Sequence, residues 1–103
     1  MQANIINIEH LLDFLKSNKD YFKNEFHIEE IGIFGSYARG EETPESDIDI
    51  IIEFDDDVKN IYDIKTELKK IFKIKFNKDT DIARRKYLKK RIKDQILKDV
   101  VYV

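Results

Sequence analysis

The sequence contains no cysteine, one proline and two histidines. The lack of cysteine excludes disulfides, thiolate metal sites and cysteine nucleophiles, and two histidines leave little room for a zinc site. Long apolar runs are also missing, since runs such as Ile50 to Ile52 are far shorter than the ~20 residues that span a bilayer. The segment from Met1 to Asn7 lacks the basic and then apolar stretches of a signal peptide. We therefore expect a cytoplasmic protein that is not inserted in a membrane.

The length of 103 residues predicts one domain over residues 1–103. A chain of this size buries roughly 65% of its unfolded surface, enough for one two-layer core but not for a large cavity enclosed between two domains. An active site in this chain is therefore expected to be open. Its 19 Lys and Arg nearly balance its 21 Asp and Glu, so no net field favours DNA or RNA. The distribution is uneven, because residues 41–57 carry only acidic charges and residues 84–103 are mostly basic.

The spacing of apolar residues predicts an alternation of helices and strands. Helices are predicted at about residues 8–24, 61–72 and 86–98, and strands at 31–34, at 47–54 and somewhere within 74–83. The last four residues are either a short edge strand or a docking tail. The order helix, strand, strand, helix, strand, helix indicates a small α/β sheet domain.

Two carboxylates, Asp47 and Asp49, begin the second predicted strand. A period of two places them on one face about 7 Å apart, where their oxygens can converge on divalent cations. A bound Mg²⁺ would remove their mutual repulsion, and a second ion about 3.5 to 4 Å away would complete the clamp that in-line phosphoryl displacement uses. The turn at Gly35 and Ser36 can bring backbone N–H groups and a hydroxyl to a phosphate. Together these features predict a metal-complexed nucleoside triphosphate as the ligand.

The spacing of these residues is specific. Gly35-Ser36 is followed after ten residues by Asp47-x-Asp49, within the segment GSYARGEETPESDIDI. This segment resembles the signature of the DNA polymerase beta-type nucleotidyltransferase superfamily, and in particular its minimal nucleotidyltransferase (MNT) branch. The short length and the ending at residues 95–103 are similar to that branch as well. The resemblance implies the superfamily's palm-like α+β fold, a small mixed β-sheet with helices packed on it.

The resemblance also implies a reaction, the transfer of AMP from ATP to an acceptor hydroxyl with release of pyrophosphate and with Mg²⁺, two ions per site. Many MNT proteins are antitoxins that add AMP to a tyrosine of a HEPN ribonuclease toxin, so a HEPN toxin is the expected partner. On this resemblance Asp47 and Asp49 bind the metals, and Gly35 and Ser36 hold the triphosphate. Arg39 matches the family pattern and is a candidate for contact with the triphosphate or the acceptor.

A third carboxylate is expected from a later strand, and the matching stretch is residues 78–83. Asp81, which precedes an apolar residue as in the family, is assigned this role. The resemblance implies that it shares the catalytic metal and activates the attacking hydroxyl. Asp79 lies two residues earlier, and therefore on the same face of a strand, so it remains a competitor.

Several of these features also have ordinary structural interpretations. Arg39 can pair with Glu41 or Glu42 at the surface, the acidic residues 55–57 suit a solvated helix start, and the basic residues 84–93 suit the wet face of a helix. Direct nucleic-acid binding is not expected, because the basic residues 84–93 include a single aromatic residue, Tyr87, and not the several that stack on successive bases. Two other functions stay open: an antitoxin that acts by binding alone, and nucleotidyl transfer to a small molecule or RNA.

Overall fold

The computed structural model describes residues 6–55 and 58–103, so Asp56 and Asp57 of the predicted acidic helix start lie outside it. Its described strands form one mixed sheet in the order β3-β2-β1-β4. The inner pair β1–β2 is antiparallel, β3 runs parallel to β2, and β4 runs antiparallel to β1. The bounds are Ile28–Phe34 for β1, Ile48–Phe54 for β2, Thr80–Arg84 for β3 and Val101–Tyr102 for β4. The predicted mixed α/β architecture is therefore confirmed.

Two helices precede the first strand, and the others lie between strands. The helices are α1 (Ile8–Ser17), α2 (Lys19–Phe26), α3 (Gly35–Arg39), α4 (Ile61–Phe76) and α5 (Lys90–Asp99), with a 3₁₀ turn at Arg85–Tyr87. None of the helices in the described ranges is both long and apolar enough to cross a membrane.

The core lies on one face of the sheet, where alternate residues of β1 and β2 meet α1, α2 and α4. Isoleucine supplies most of the strand side, because its branched side chain suits a pleated surface. Each fully buried side chain of this size contributes about 1.5 to 3 kcal/mol. The residues buried to 1% exposure or less in this cluster are Leu11, Leu15, Phe22, Ile33, Tyr37, Ile48, Ile50, Ile52, Leu68 and Phe72.

The single helix predicted at residues 8–24 is wrong, because the chain forms two helices that meet at Asn18. The Asn18 side-chain amide donates to the Phe14 carbonyl at 2.9 Å, and this local bond competes with helix continuation. Apolar periodicity does not reveal the break, since Phe22 beyond it still reaches the core at 1% exposure.

The other boundaries differ for local reasons. Strand β1 begins at Ile28 rather than at residue 31, because an irregularity in pairing between Ile28 and Glu30 disturbs the alternation. The predicted last helix begins instead as the 3₁₀ turn, after which Leu88 is extended and α5 follows. Helix α4 continues to Phe76, into the range 74–83 in which the third strand was predicted. Strand β3 therefore begins only at Thr80 and ends at Arg84.

The C-terminal residues form an edge strand, which settles the two alternatives for this segment. Val101 and Tyr102 pair with Ile33 and Gly32 of β1. A Cβ added to Gly32 would lie 2.8 Å from the Val101 carbonyl oxygen. Glycine therefore allows the close approach of β4.

Candidate functional site

The ends of three neighbouring strands bring the predicted site residues together. Phe34, the last residue of β1, pairs with Asp49 of β2, and Asp49 is in turn the register partner of Asp81 on β3. Ile48, Ile50 and Ile82 point into the core, so the alternation of a strand places Asp49 and Asp81 on the opposite face. Two carboxylates from adjacent strands thus share one face at one edge of the sheet.

The turn after β1 lies directly against one of these carboxylates. Gly35 has a φ of +73° and begins α3. A Cβ built on Gly35 would overlap the Asp49 carboxylate and would lie 2.8 Å from its Cγ. Only glycine therefore combines this left-handed backbone with such a close approach. The predicted turn and the predicted strand carboxylate are in contact, and Ser36 follows as the next residue of the turn.

The electrostatics of the site centre on Asp49. Burial, and then the negative charges of Asp81 and Asp47, raise the pKa of this carboxyl from 3.8 to about 6, while the positive charge of Arg39 opposes the rise. Asp49 is half-buried, whereas Asp47, which immediately precedes β2, and Asp81 are exposed. The folded chain therefore holds Asp47 and Asp81 close enough to Asp49 for both to repel its negative charge.

Arg39 lies at the C-terminal end of α3 beside these carboxylates. Its Nε donates to the Glu41 carboxylate at 3.0 Å, and its guanidinium stands 3.8 Å from the Asp99 carboxylate. The pairing with Glu41 suggested by the sequence is thus present. Because the Arg39 side chain is 42% exposed, solvent screens these pairs and leaves the guanidinium free to exchange partners.

Asp79 occupies a different environment from Asp81. Its carboxylate is 77% exposed and lies 3.5 Å from the Lys73 ammonium, while its backbone carbonyl accepts from the Ile48 amide at 3.0 Å. It borders a cleft of about 450 Å³ along α4 whose other lining residues are Tyr62, Lys65, Thr66, Lys69, Lys70 and Lys73. Register therefore makes Asp81, and not Asp79, the neighbour of Asp49.

The carboxylates at the sheet edge fit a hard divalent cation. Carboxylate oxygens are ligands that Mg²⁺ prefers, and a cation between Asp49 and Asp81 would offset the repulsion that raises the pKa of Asp49. No group of three His, Cys, Asp or Glu side chains within residues 6–55 and 58–103 is arranged to hold a metal ion. Joint ligation by Asp47, Asp49 and Asp81 therefore stays a prediction.

A small cleft beside Gly35 and Arg39 was not anticipated from the sequence. It lies between α3 and α5, has a volume of about 170 Å³, and is lined by Phe34, Gly35, Arg39, Ile92, Gln95, Ile96 and Asp99. The sequence did hold a signal for it, since Ile92 and Ile96, and likewise Gln95 and Asp99, are four residues apart and so lie on one side of α5. Only the tertiary structure shows that this side of α5 meets the motif.

Comparisons with known proteins identify the family of this chain. Residues 16–103 match the family described as Polymerase beta, Nucleotidyltransferase. The chain is similar to Protein adenylyltransferase MntA of Thermococcus cleftensis, with 31% identity over 99 residues, 96% of this chain and 98% of that protein.

Two solved structures share the fold. One described as a minimal nucleotidyltransferase superposes with a TM-score of 0.76 at 21% identity, covering 96% of this chain and 98% of that chain. The other is an MNT antitoxin in complex with a tri-AMPylated HEPN toxin of Shewanella oneidensis, with a TM-score of 0.59 at 23% identity, covering 89% of this chain and 69% of that chain.

The family match includes every residue of the proposed site, from the Gly35 turn to Asp81. The Thermococcus protein is similar along nearly its whole length, so the likeness is not confined to a short motif. On this evidence the chain belongs to the Polymerase beta nucleotidyltransferase family.

Proposed function

We propose that this protein is a protein adenylyltransferase that transfers AMP from ATP to a tyrosine hydroxyl of a HEPN toxin and thereby acts as its antitoxin. The observation that carries the proposal is the contact of the Gly35 turn with Asp49, whose register partner is Asp81. The name of the Thermococcus relative and the AMP-modified toxin in the Shewanella complex support this activity and this class of partner.

The triphosphate binds at the turn between β1 and α3. The positive φ of Gly35 keeps this turn free of a side chain, so phosphate oxygens can approach the backbone N–H groups. The Ser36 hydroxyl donates a further hydrogen bond. Arg39, which stands near Asp49, supplies the positive charge for a phosphate oxygen.

The reaction is an in-line displacement at the α-phosphorus of ATP. The acceptor hydroxyl oxygen forms a new bond to this phosphorus, and the bond from the phosphorus to the oxygen that bridges the α- and β-phosphates breaks. Pyrophosphate leaves with the electron pair of that bond. Asp81, which is exposed at the sheet edge, accepts the proton of the acceptor hydroxyl.

Asp47, Asp49 and Asp81 would hold Mg²⁺, with two ions per site. When bound, Mg²⁺ neutralises charge on the phosphate oxygens and orients the attacking and leaving oxygens. Asp49 is held in place for this role by its position within β2 and by the Gly35 turn that packs against it.

The open site favours a protein as the acceptor. Asp47 and Asp81 are exposed, so the reacting groups lie on an open surface and not in an enclosed cavity of the kind that surrounds a small-molecule acceptor. A docked protein surface can cover the reacting groups and exclude water.

The test is transfer of label from ATP to the toxin. The protein is incubated with Mg²⁺, the HEPN protein encoded beside it and ATP labelled at the α-phosphate, and, in a parallel reaction, ATP labelled at the γ-phosphate. We expect label on the toxin only from the α-position, and a mass increase of the toxin that maps to a tyrosine. Asp49→Asn and Asp81→Asn should each lower the rate by about 10²-fold or more, whereas Asp13→Asn on the exposed side of α1 should not.

Two results would contradict the proposal. One is undiminished label transfer by the Asp49→Asn and Asp81→Asn variants, provided that both remain folded. The other is full protection of cells from the toxin by the double variant, which would favour an antitoxin that acts by binding alone. Label transfer to RNA or to a small molecule instead of the toxin would replace the acceptor.

A further inference from the structure

The cleft between α3 and α5 is contiguous with the proposed triphosphate site, because Gly35 and Arg39 belong to both. Its walls carry three apolar side chains, from Phe34 at the end of β1 and from Ile92 and Ile96 on α5. Ile92 is 50% exposed at this position. The cleft thus offers apolar contact area immediately beside the phosphate-binding turn.

Its charges disfavour a phosphate group. Asp99 is the last residue of α5, so its carboxylate and the negative end of the helix dipole lie at the same side of the cleft. The guanidinium of Arg39 stands 3.8 Å from Asp99 and donates to Glu41, so its charge is already partly balanced. An uncharged part of a nucleotide fits this environment better than its phosphates.

The remaining lining residue, Gln95, has a side-chain amide that both donates and accepts hydrogen bonds. An amide of this kind can pair with adenine in two bonds, accepting from the exocyclic N6 amine and donating to N7, where guanine also has an acceptor. Guanine presents an acceptor in place of that amine. The cleft therefore combines apolar walls for a flat ring with one group able to distinguish adenine from guanine.

We propose that the cleft between α3 and α5 binds the adenine base of ATP, with Ile92 and Ile96 in contact with the ring and Gln95 as the residue that selects adenine. The inference rests on the proposed function, since it places the base beside a triphosphate held at the Gly35 turn. It adds a nucleotide-selecting role to α5, a helix outside the motif.

The first test fills the cleft. Ile92→Trp places a larger side chain at the cleft, and Ile74→Trp is the matched control, because Ile74 is 86% exposed on α4. Calorimetric titrations with ATP and with inorganic tripolyphosphate, both with Mg²⁺, measure the two parts of the ligand separately. We expect Ile92→Trp to weaken ATP binding roughly tenfold or more, to leave tripolyphosphate binding unchanged, and Ile74→Trp to affect neither.

The second test concerns selectivity. Gln95→Ala should reduce the preference for ATP over GTP roughly tenfold, again without an effect on tripolyphosphate. Circular dichroism confirms that each variant is folded, and the titrations require no acceptor protein.

The outcomes separate this inference from the proposed function. If ATP binds equally well to the wild type, Ile92→Trp and Gln95→Ala, the base lies elsewhere and the inference is overturned while the transferase proposal stands. Equal loss of ATP and tripolyphosphate binding in Ile92→Trp would also overturn it. If neither ligand binds the wild type, both proposals fall.

Discussion

The carboxylate of Asp49 should destabilise the folded protein when no cation is bound, so Asp49→Asn should increase stability. Burial and the charges of Asp81 and Asp47 raise the pKa of Asp49 from 3.8 to about 6. A carboxyl whose pKa is raised by folding favours the folded state while it is protonated, and this contribution is lost as the pH rises through the folded-state value. The full penalty is therefore present at about pH 8 and absent below the ordinary value of 3.8.

The magnitude follows from the size of the shift. At 1.36 kcal/mol per unit, a rise from 3.8 to about 6 corresponds to about 3 kcal/mol. Since Asp49 is only half-buried, solvent screening reduces this to about 1 kcal/mol. A domain of this size gains about 4 to 8 °C in Tm for each kcal/mol. We therefore expect Asp49→Asn to raise the Tm by several degrees.

The assay is thermal unfolding by circular dichroism in EDTA at about pH 8 and again at about pH 5. The gain of Asp49→Asn should be largest at the higher pH and should shrink at the lower one, where Asp49 of the folded wild type is mostly protonated. Asp13→Asn removes the same charge from an exposed position on α1 and is the control. A variant no more stable than the wild type at pH 8, or a gain independent of pH, would refute the reasoning.

Three other predictions concern the turn, an ion pair and the metal. Gly35→Ala should abolish ATP binding and should lower the free energy of unfolding in urea more than Gly40→Ala does. Both glycines have a positive φ, but only a Cβ on Gly35 would overlap Asp49. Equal losses of stability in the two variants would show that the overlap is relieved. Arg84→Ala should cost about 3 kcal/mol, because Arg84 and Glu53 pair at 2.7 Å with side chains only 10% and 19% exposed. Lys70→Ala, which breaks an exposed pair, should cost less than about 0.5 kcal/mol in the same urea unfolding, and similar losses for the two variants would contradict this. Mg²⁺ at about 100 times its dissociation constant should stabilise the wild type by about 2.7 kcal/mol, reversibly with EDTA, and an unchanged Tm would argue against a cation site.

The spacing of apolar residues was enough to predict those helices and strands that bury one regular face. The alternation of isoleucines predicted β2 to within one residue, and the helical spacing after Ile61 predicted α4, because each side chain position follows from the period of its own element. The break at Asn18 was not predictable from the same signal. The helices on either side of Asn18 both present apolar residues to the same core. The apolar spacing therefore continues across Asn18, although the helix is interrupted there.

The sequence by itself determined the motif, the family resemblance, the mixed α/β class and the identity of the candidate carboxylates. It assigned the third carboxylate to Asp81 on the family resemblance alone and left Asp79 as a competitor, because a period of two places both on the same face of a strand. The parallel register of β2 and β3 makes Asp81 the partner of Asp49, while Asp79 lies beside Lys73 at the α4 cleft. The register between β2 and β3 and the packing of α5 against α3 depend on contacts between residues far apart in the chain, so only the tertiary structure decided them.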